Sequence, residues 1–328
     1  MNKIYHYLLG SFYLIFLTSS AWTQKLNNGN FVAKIDGINI NYTIKGEGPV
    51  MIVGHPTSGK IGYELSLKPL ENKFTMVYYD PRGTGKSDTP EFLAQYNDEN
   101  LVNEIDLLRK HLGVNKIWIF GHSDQSVIAL QYAVDHPENI RGLILSGTKY
   151  IVSRESVIQE RKESEKKRES ESQWFTQVVK DWDYMIEHKA TTDSTGRDLK
   201  YAPIKWWCYD EQTAQKVIPI YDSISKYGRR KPINNQLPLK TETEVQKLYK
   251  RIIDYEQKYS TIKVPVLILN GIYDTNNTPE SAEKLHNVLV NSKLVLIDKA
   301  GHFPWVEQPE KSFSEIYNWL DTIKYNEN

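Results

Sequence analysis

The stretch Lys116-Ile117-Trp118-Ile119-Phe120-Gly121-His122-Ser123-Asp124-Gln125-Ser126-Val127-Ile128-Ala129-Leu130 joins an apolar run to an amphipathic one through a glycine, a serine and their polar neighbours. The first part has the make-up of a buried strand and the last part that of a helix. A tight turn between the two forces Ser123 into a strained backbone conformation and leaves its hydroxyl at the carboxyl edge of a sheet. The turn reads G-x-S-x-Q. A second glycine usually stands where Gln125 is and lets helix and strand pack closely, so the Gln125 side chain has to be housed. A serine hydroxyl is a poor nucleophile alone, and the reading requires a base, an acid and an oxyanion site elsewhere.

The base is sought among the eight histidines. His302, in Lys299-Ala300-Gly301-His302-Phe303-Pro304-Trp305, follows the apolar run Leu294 to Ile297 by a short loop and precedes a helix expected near Pro309. That puts it on the same sheet edge as Ser123, where sites of open α/β sheets form. His6, His111, His136, His188 and His286 fall in the leader, on helices or at helix ends, and read as structural. His122 is the variable residue of the turn and is expected to point away from the hydroxyl. His55 lies early in the chain. For the acid, Asp274 comes just after the run Val264 to Leu269, where a carboxylate holds an imidazole in the required tautomer. The comparable position after Leu145 carries Ser146-Gly147-Thr148 and no carboxylate. Two backbone N–H groups are expected to receive the oxyanion. One is that of Asp124; the other is that of Thr57, since Pro56 in the loop Gly54-His55-Pro56-Thr57-Ser58-Gly59 has none.

Around these residues the pattern is of strands, then alternation. Phe31 to Ile35 and Ile38 to Ile44 read as a hairpin about Asp36-Gly37. Pro49 to Val53 and Phe74 to Tyr79 are continuous apolar runs, as strands buried on both faces require. Leu101, Ile105, Leu108 and Leu112 mark one face of a helix. Gly142 to Leu145, Val264 to Leu269 and Leu294 to Ile297 continue the series, giving a mostly parallel, eight-stranded, doubly wound sheet with an antiparallel start. The core is expected over 24–148 and 262–328. Residues 149–261 break the alternation: the charged run Glu160 to Glu171 reads as a solvated helix face, and Trp174, Trp182, Trp206 and Trp207 supply an aromatic inner face. A helical cap over the site is the expected arrangement.

The order Ser123, Asp274, His302 is that of the α/β-hydrolases, and other segments carry the same resemblance. His55-Pro56-Thr57-Ser58-Gly59 is similar to that family's H-G-x-x-G oxyanion loop, with Pro in place of the first Gly. Asp80-Pro81-Arg82-Gly83-Thr84-Gly85-Lys86-Ser87-Asp88 resembles its D-x-R-G-x-G-x-S-D loop. The likeness covers about 31–148 and 262–324. With Leu130 to Pro137 and Ile144 to Gly147, it looks most like the proline iminopeptidase branch, whose cap carries W-x-x-W-E-x-x-T. Trp206 to Thr213 matches as W-x-x-Y-D-x-x-T. The resemblance implies an aminopeptidase in which Asp210 pairs with a substrate ammonium and Trp206 and Tyr209 wall the pocket. The bland reading is that these aromatics pack the cap. An esterase or lactonase using the same residues is the alternative, since nothing in the trio distinguishes an ester from an amide. Serine at 123 disfavours enzymes with a carboxylate nucleophile. An intact trio argues against a non-catalytic binding protein, with Gln125 the one feature in its favour.

Bulk properties remove other classes. The 328 residues carry 41 Lys+Arg and 41 Asp+Glu, which gives no support for nucleic acid or an anionic membrane as main partner. A small-molecule or short-peptide substrate is expected, with no cofactor and no metal. The single cysteine, Cys208, excludes an internal disulfide. Two near-matches to a phosphate loop fail: Gly54 to Lys60 is followed by Ile61 where Ser or Thr would hold magnesium, and Asp80 replaces the leading glycine before Gly85-Lys86-Ser87. At the N-terminus, Lys3, the mostly apolar Leu8 to Leu17 and Ala21-Trp22-Thr23 resemble an export signal over 1–23, with Gln24 starting an exported mature chain that has no membrane span. The competing reading is an uncleaved anchor.

Overall fold

A computed structural model describes residues 26–233 and 241–323, so the expected export signal lies outside the described residues. The chain opens on a hairpin of β1 (Gly29–Ile35) and β2 (Ile38–Lys45). Asp36 and Gly37 close it with φ of 50° and 78°, the left-handed pair that a two-residue hairpin turn demands. There follow β3 (Val50–Val53), β4 (Thr75–Tyr79), β5 (Ile117–His122), β6 (Ile140–Ser146), β7 (Val266–Gly271) and β8 (Ser292–Ile297). They form one eight-stranded sheet in the order β1-β2-β4-β3-β5-β6-β7-β8. Only β2 runs antiparallel to its neighbours; the pairings from β4 across to β8 are parallel. The expected antiparallel start and parallel remainder are both present.

Every residue of β3, β4 and β5 is buried, which is why their sequences show no alternation. The alternation is in which core each residue enters. Ile117 and Ile119 point into the layer shared with α2 (Asp98–His111), α3 (Asp124–Asp135) and α9 (Pro279–Val288). Trp118 and Phe120 point into the opposite layer, with α1 (Ile61–Ser66), α10 (Pro304–Glu307) and α11 (Pro309–Thr322). Phe313, Ile316, Trp319 and Leu320 of α11 recur at helical spacing and seal that second layer.

Between β6 and β7 the chain leaves the sheet through α4 (Arg154–Glu171), α5 (Gln173–His188), α6 (Ala202–Trp207), α7 (Glu211–Tyr227) and α8 (Glu242–Glu256). The charged run lies on α4, of which only Val157 and Arg168 are buried. Arg168 is a strut: it donates to the carbonyls of Trp206, Cys208 and Tyr209 and lies over the Phe175 ring. Phe175, Val178 and Trp206 form a small core of their own. α8 is different in kind. Its Ile252 packs with Val127 of α3, and Glu256 accepts from the Ile151 amide. The expected cap range up to 261 therefore includes a helix that packs on the sheet's own helical layer. Among the described residues, no helix is long and apolar enough to cross a membrane.

Candidate active site

Ser123 follows β5 directly with φ 52° and ψ −124°, and α3 begins at the next residue. A non-glycine residue in that region is strained and persists only where its surroundings over-determine it. Here they do. The Ser123 amide donates to Ser146 O, Ser126 Oγ donates to Ser123 O at 2.6 Å, and Thr148 Oγ1 donates to Ser126 Oγ. Gly121 permits the close approach of α3, because a Cβ there would lie 2.9 Å from Ser126 Cα. Gln125 is housed inside, 1% exposed, and α3 still starts at Asp124. Its amide oxygen and nitrogen have no hydrogen-bond partner among the described residues.

His302 Nδ1 donates to Asp274 Oδ2 at 2.7 Å, and both side chains are buried. The other oxygen of Asp274 accepts the amides of Asn276 and Asn277, each at 2.9 Å. A carboxylate fixed on three sides sets the imidazole tautomer and leaves Nε2 as the basic nitrogen. The loop carrying His302 is itself held. Glu307 accepts the amides of Gly301 and Phe303, and His302 N donates to Trp207 O at 2.7 Å. Gly301 cannot be another residue, since a Cβ would lie 2.2 Å from that carbonyl. Burial pushes the Glu307 carboxyl up against the pull of its amide donors.

A cavity of about 580 Å³ brings Ser123, His302, Thr57 and Asp124 to one surface, while Asp274 stands behind His302. Two further imidazoles share it. His122, expected to point away, also lines the cavity, with its ring centroid 4.6 Å from that of His302. The acceptor at its Nε2 is the His302 carbonyl, so Nε2 carries the proton and Nδ1 accepts from the Tyr63 hydroxyl at 2.9 Å. Burial, then the neighbouring imidazoles, hold its pKa well below the usual value. His55 is pushed down to about 4 by burial, and its Nδ1 accepts the Thr57 amide at 3.2 Å. The Thr57 amide, expected as an oxyanion donor, is thus engaged in this structure: a neutral imidazole two residues away supplies an acceptor, and an oxyanion must displace it. Asp124 opens α3, where helix amides lack intrahelical acceptors and the dipole favours negative charge.

The three cap residues assigned to substrate are not brought to the cavity. Asp210 is the N-cap of α7: its Oδ1 accepts the Thr213 amide, and Thr213 Oγ1 accepts the Asp210 amide. Trp206 is buried against Trp182 and donates to Glu165, and Tyr209 packs at a tilt against Tyr273. The W-x-x-Y-D-x-x-T run thus does structural work, since an Asp followed three residues later by Thr is also a helix-capping box. Trp207, one residue along, is the tryptophan that lines the cavity, with Ile204, Val217, Ile220 and Ile224.

Sequence reasoning also missed Arg230. Its amide donates to Thr57 O at 2.9 Å, while Nε and Nη2 donate to Pro56 O at 3.0 and 2.6 Å. The guanidinium lies over the Tyr96 ring, 5.0 Å from its centroid. No sequence signal marks a contact across 174 positions. The glycine-rich loop after β4 is likewise filled from within: Asp80 accepts the amides of Lys60 and Lys86 at 2.9 and 3.0 Å. A carboxylate occupies the place a phosphate would need, which is why neither near-match makes a nucleotide site.

The chain matches the alpha/beta hydrolase fold family over residues 50–309 and belongs to it. Among curated relatives, the proline iminopeptidase of Lactobacillus crispatus is 28% identical over 286 residues, covering 83% of this chain and 89% of that protein. Among solved structures, a proline iminopeptidase-related protein from Thermus thermophilus superposes with a TM-score of 0.64 at 18% identity, over 90% of this chain and 97% of that one. A thermophilic esterase from Thermogutta terrifontis does so with a TM-score of 0.60 at 21% identity, over 89% and 98%. The family and its relatives make this chain a hydrolase.

Proposed function

We propose that the chain is a serine acyl hydrolase. Ser123 Oγ attacks the substrate carbonyl as His302 Nε2 takes its proton, and Asp274 orients and stabilises the imidazolium. The Asp124 amide and the Thr57 amide, released from His55, receive the oxyanion. His302 then protonates the leaving group, and water, activated by the same imidazole, hydrolyses the acyl-enzyme. The observation that carries this is Ser123, held at positive φ, sharing one cavity with an Asp274-bound His302. A fluorophosphonate probe is expected to label the wild-type protein and not Ser123→Ala. A folded wild-type protein that takes no label would sink the reading.

For the bond cleaved, an ester or similar acyl compound is the better supported substrate. Asp210 is engaged in capping α7, and Asp124, the one carboxylate lining the cavity among the described residues, is ion-paired with Lys149 at 3.3 Å. The second reading, release of N-terminal residues from peptides, is favoured by the curated relatives named as proline iminopeptidases. Aminoacyl anilides with free and acetylated amines separate the two, because an aminopeptidase strongly prefers the free amine. We further propose that α4 to α7 act as a cap and that the protein is exported. N-terminal sequencing of protein from its native cells should start at Gln24, and a retained Met1 would overturn cleavage of the export signal.

A further inference from the structure

The fixed charges on the cavity are lopsided in a chain whose charges balance overall. Among the described residues, Arg161, Arg229 and Arg230 line it against the single carboxylate of Asp124. None of the three arginines has a carboxylate within ion-pair distance among the described residues. Arg161 uses only Nε, on Asn276 O. The Arg229 guanidinium lies over Tyr221, 4.7 Å from the ring centroid, and makes no side-chain hydrogen bond among the described residues. Arg230 commits Nε and Nη2 to Pro56 O, leaving Nη1. Burial holds the Arg230 pKa below the usual value, against the pull of Tyr96, Asp124 and Asp98. Charged groups drawn into a protein are normally paired, and the half-buried Arg161 and Arg230 have no carboxylate in direct contact among the described residues, while Arg229 adds its charge from the exposed rim. The rest of the wall is apolar, from Pro203, Ile204, Val217, Ile220 and Ile224.

We infer that the substrate is an acyl compound carrying a carboxylate, drawn in and held by Arg161, Arg229 and Arg230 while its apolar part lies on α6 and α7. A planar guanidinium matches a carboxylate fork to fork. A field of one sign inside low-dielectric walls raises the local concentration of the opposite charge and repels an ammonium. Phosphate is the weaker candidate, because the backbone cradles that would suit it are filled by Asp80. The inference rests on the acyl-hydrolase reading and adds the substrate class to it.

The test compares p-nitrophenyl glutarate, which carries a carboxylate on the acyl side, with neutral p-nitrophenyl pentanoate and the ammonium-bearing p-nitrophenyl 5-aminopentanoate. A 4-carboxyphenyl pentanoate arm, set against phenyl pentanoate, places the carboxylate on the leaving group. One of the two carboxylates should raise kcat/KM about tenfold over its neutral counterpart, with the ammonium ester slowest and the preference falling as salt is added. Arg229→Glu, a change at an exposed position, should reverse the order between carboxylate and ammonium esters, and Arg161→Met with Arg229→Met should erase it. Equal or lower rates for both carboxylates in the wild-type enzyme would overturn the inference while leaving the hydrolase reading standing. No hydrolysis of any ester, with no fluorophosphonate labelling, would instead remove the hydrolase reading itself.

Discussion

At the scale of single residues, the conformation of the proposed nucleophile, Ser123, is set by its small neighbours as much as by its own chemistry. Gly121 lets α3 close on β5, Ser126 and Thr148 pin the turn, and Ser123 takes a conformation that only such crowding sustains. Asp274→Asn should lower kcat on the order of 10³- to 10⁴-fold, because the amide no longer fixes the His302 tautomer; KM on the best ester should change far less. Arg230 is a positioning residue for the oxyanion loop through its bonds to Pro56 O and Thr57 O. Arg230→Met should reduce kcat for a neutral ester about tenfold with a smaller change in KM. A pure loss of fold would instead lower the active fraction and leave the kcat of the remaining sites intact, as active-site titration would reveal.

Among the elements, the helical insertion is tied into the chemistry and does not merely cover it. α6 supplies the Trp207 carbonyl to His302, Glu307 accepts the Tyr209 amide, and the irregular segment after α7 holds the loop of Pro56 and Thr57 through Arg230. Base loop and oxyanion loop are both anchored to the same insertion. At the start of α7, Asp210→Ala removes a cap and should cost about 1 kcal/mol of stability. Asp210→Asn retains the acceptor and should leave both stability and discrimination between free and acetylated amines near wild type; lost discrimination would revive its role as an amine anchor. At the end of α8, burial pushes Glu256 up to about 8 against the Ile151 amide that it accepts. Its folded pKa exceeds the unfolded value, so the stability it contributes falls as pH rises from about 4.5 to about 8. Glu256→Gln keeps an acceptor without the charge. Its Tm should exceed wild type at pH 8 and match it at pH 4.5, as scanning fluorimetry at the two pH values would measure.

Over the whole molecule, the two cores on either face of the sheet hold the site edge rigid, and the imidazoles at that edge set the acid limit. His55 is pushed down to about 4 and His122 is held well below the usual value, both by burial first. The unfolded chain binds protons near pH 6.5 that the folded chain refuses. Stability is therefore full above that pH and declines as pH falls toward 4, on the order of 3 kcal/mol from His55. Thermal unfolding at pH 7 and pH 4.5 should show a smaller drop for His55→Gln than for wild type.

The sequence alone determined the sheet, the positions of Ser123, Asp274 and His302 at its carboxyl edge, and the family. Those are local signals: apolar runs of strand length, a glycine before a strained serine, short loops after strands. The W-x-x-Y-D-x-x-T run was equally legible but carried two meanings, since a carboxylate at a helix start suits a cap as well as a ligand. Only the tertiary structure decided between them, by turning Asp210 onto Thr213 and placing Trp207 in the cavity. It alone set three arginines on the cavity that Ser123 lines and pressed Arg230 against Pro56, across 174 positions. Contacts of that span leave no periodicity or spacing in the chain, because each partner satisfies its own local pattern and meets the other only when the insertion folds back over the sheet.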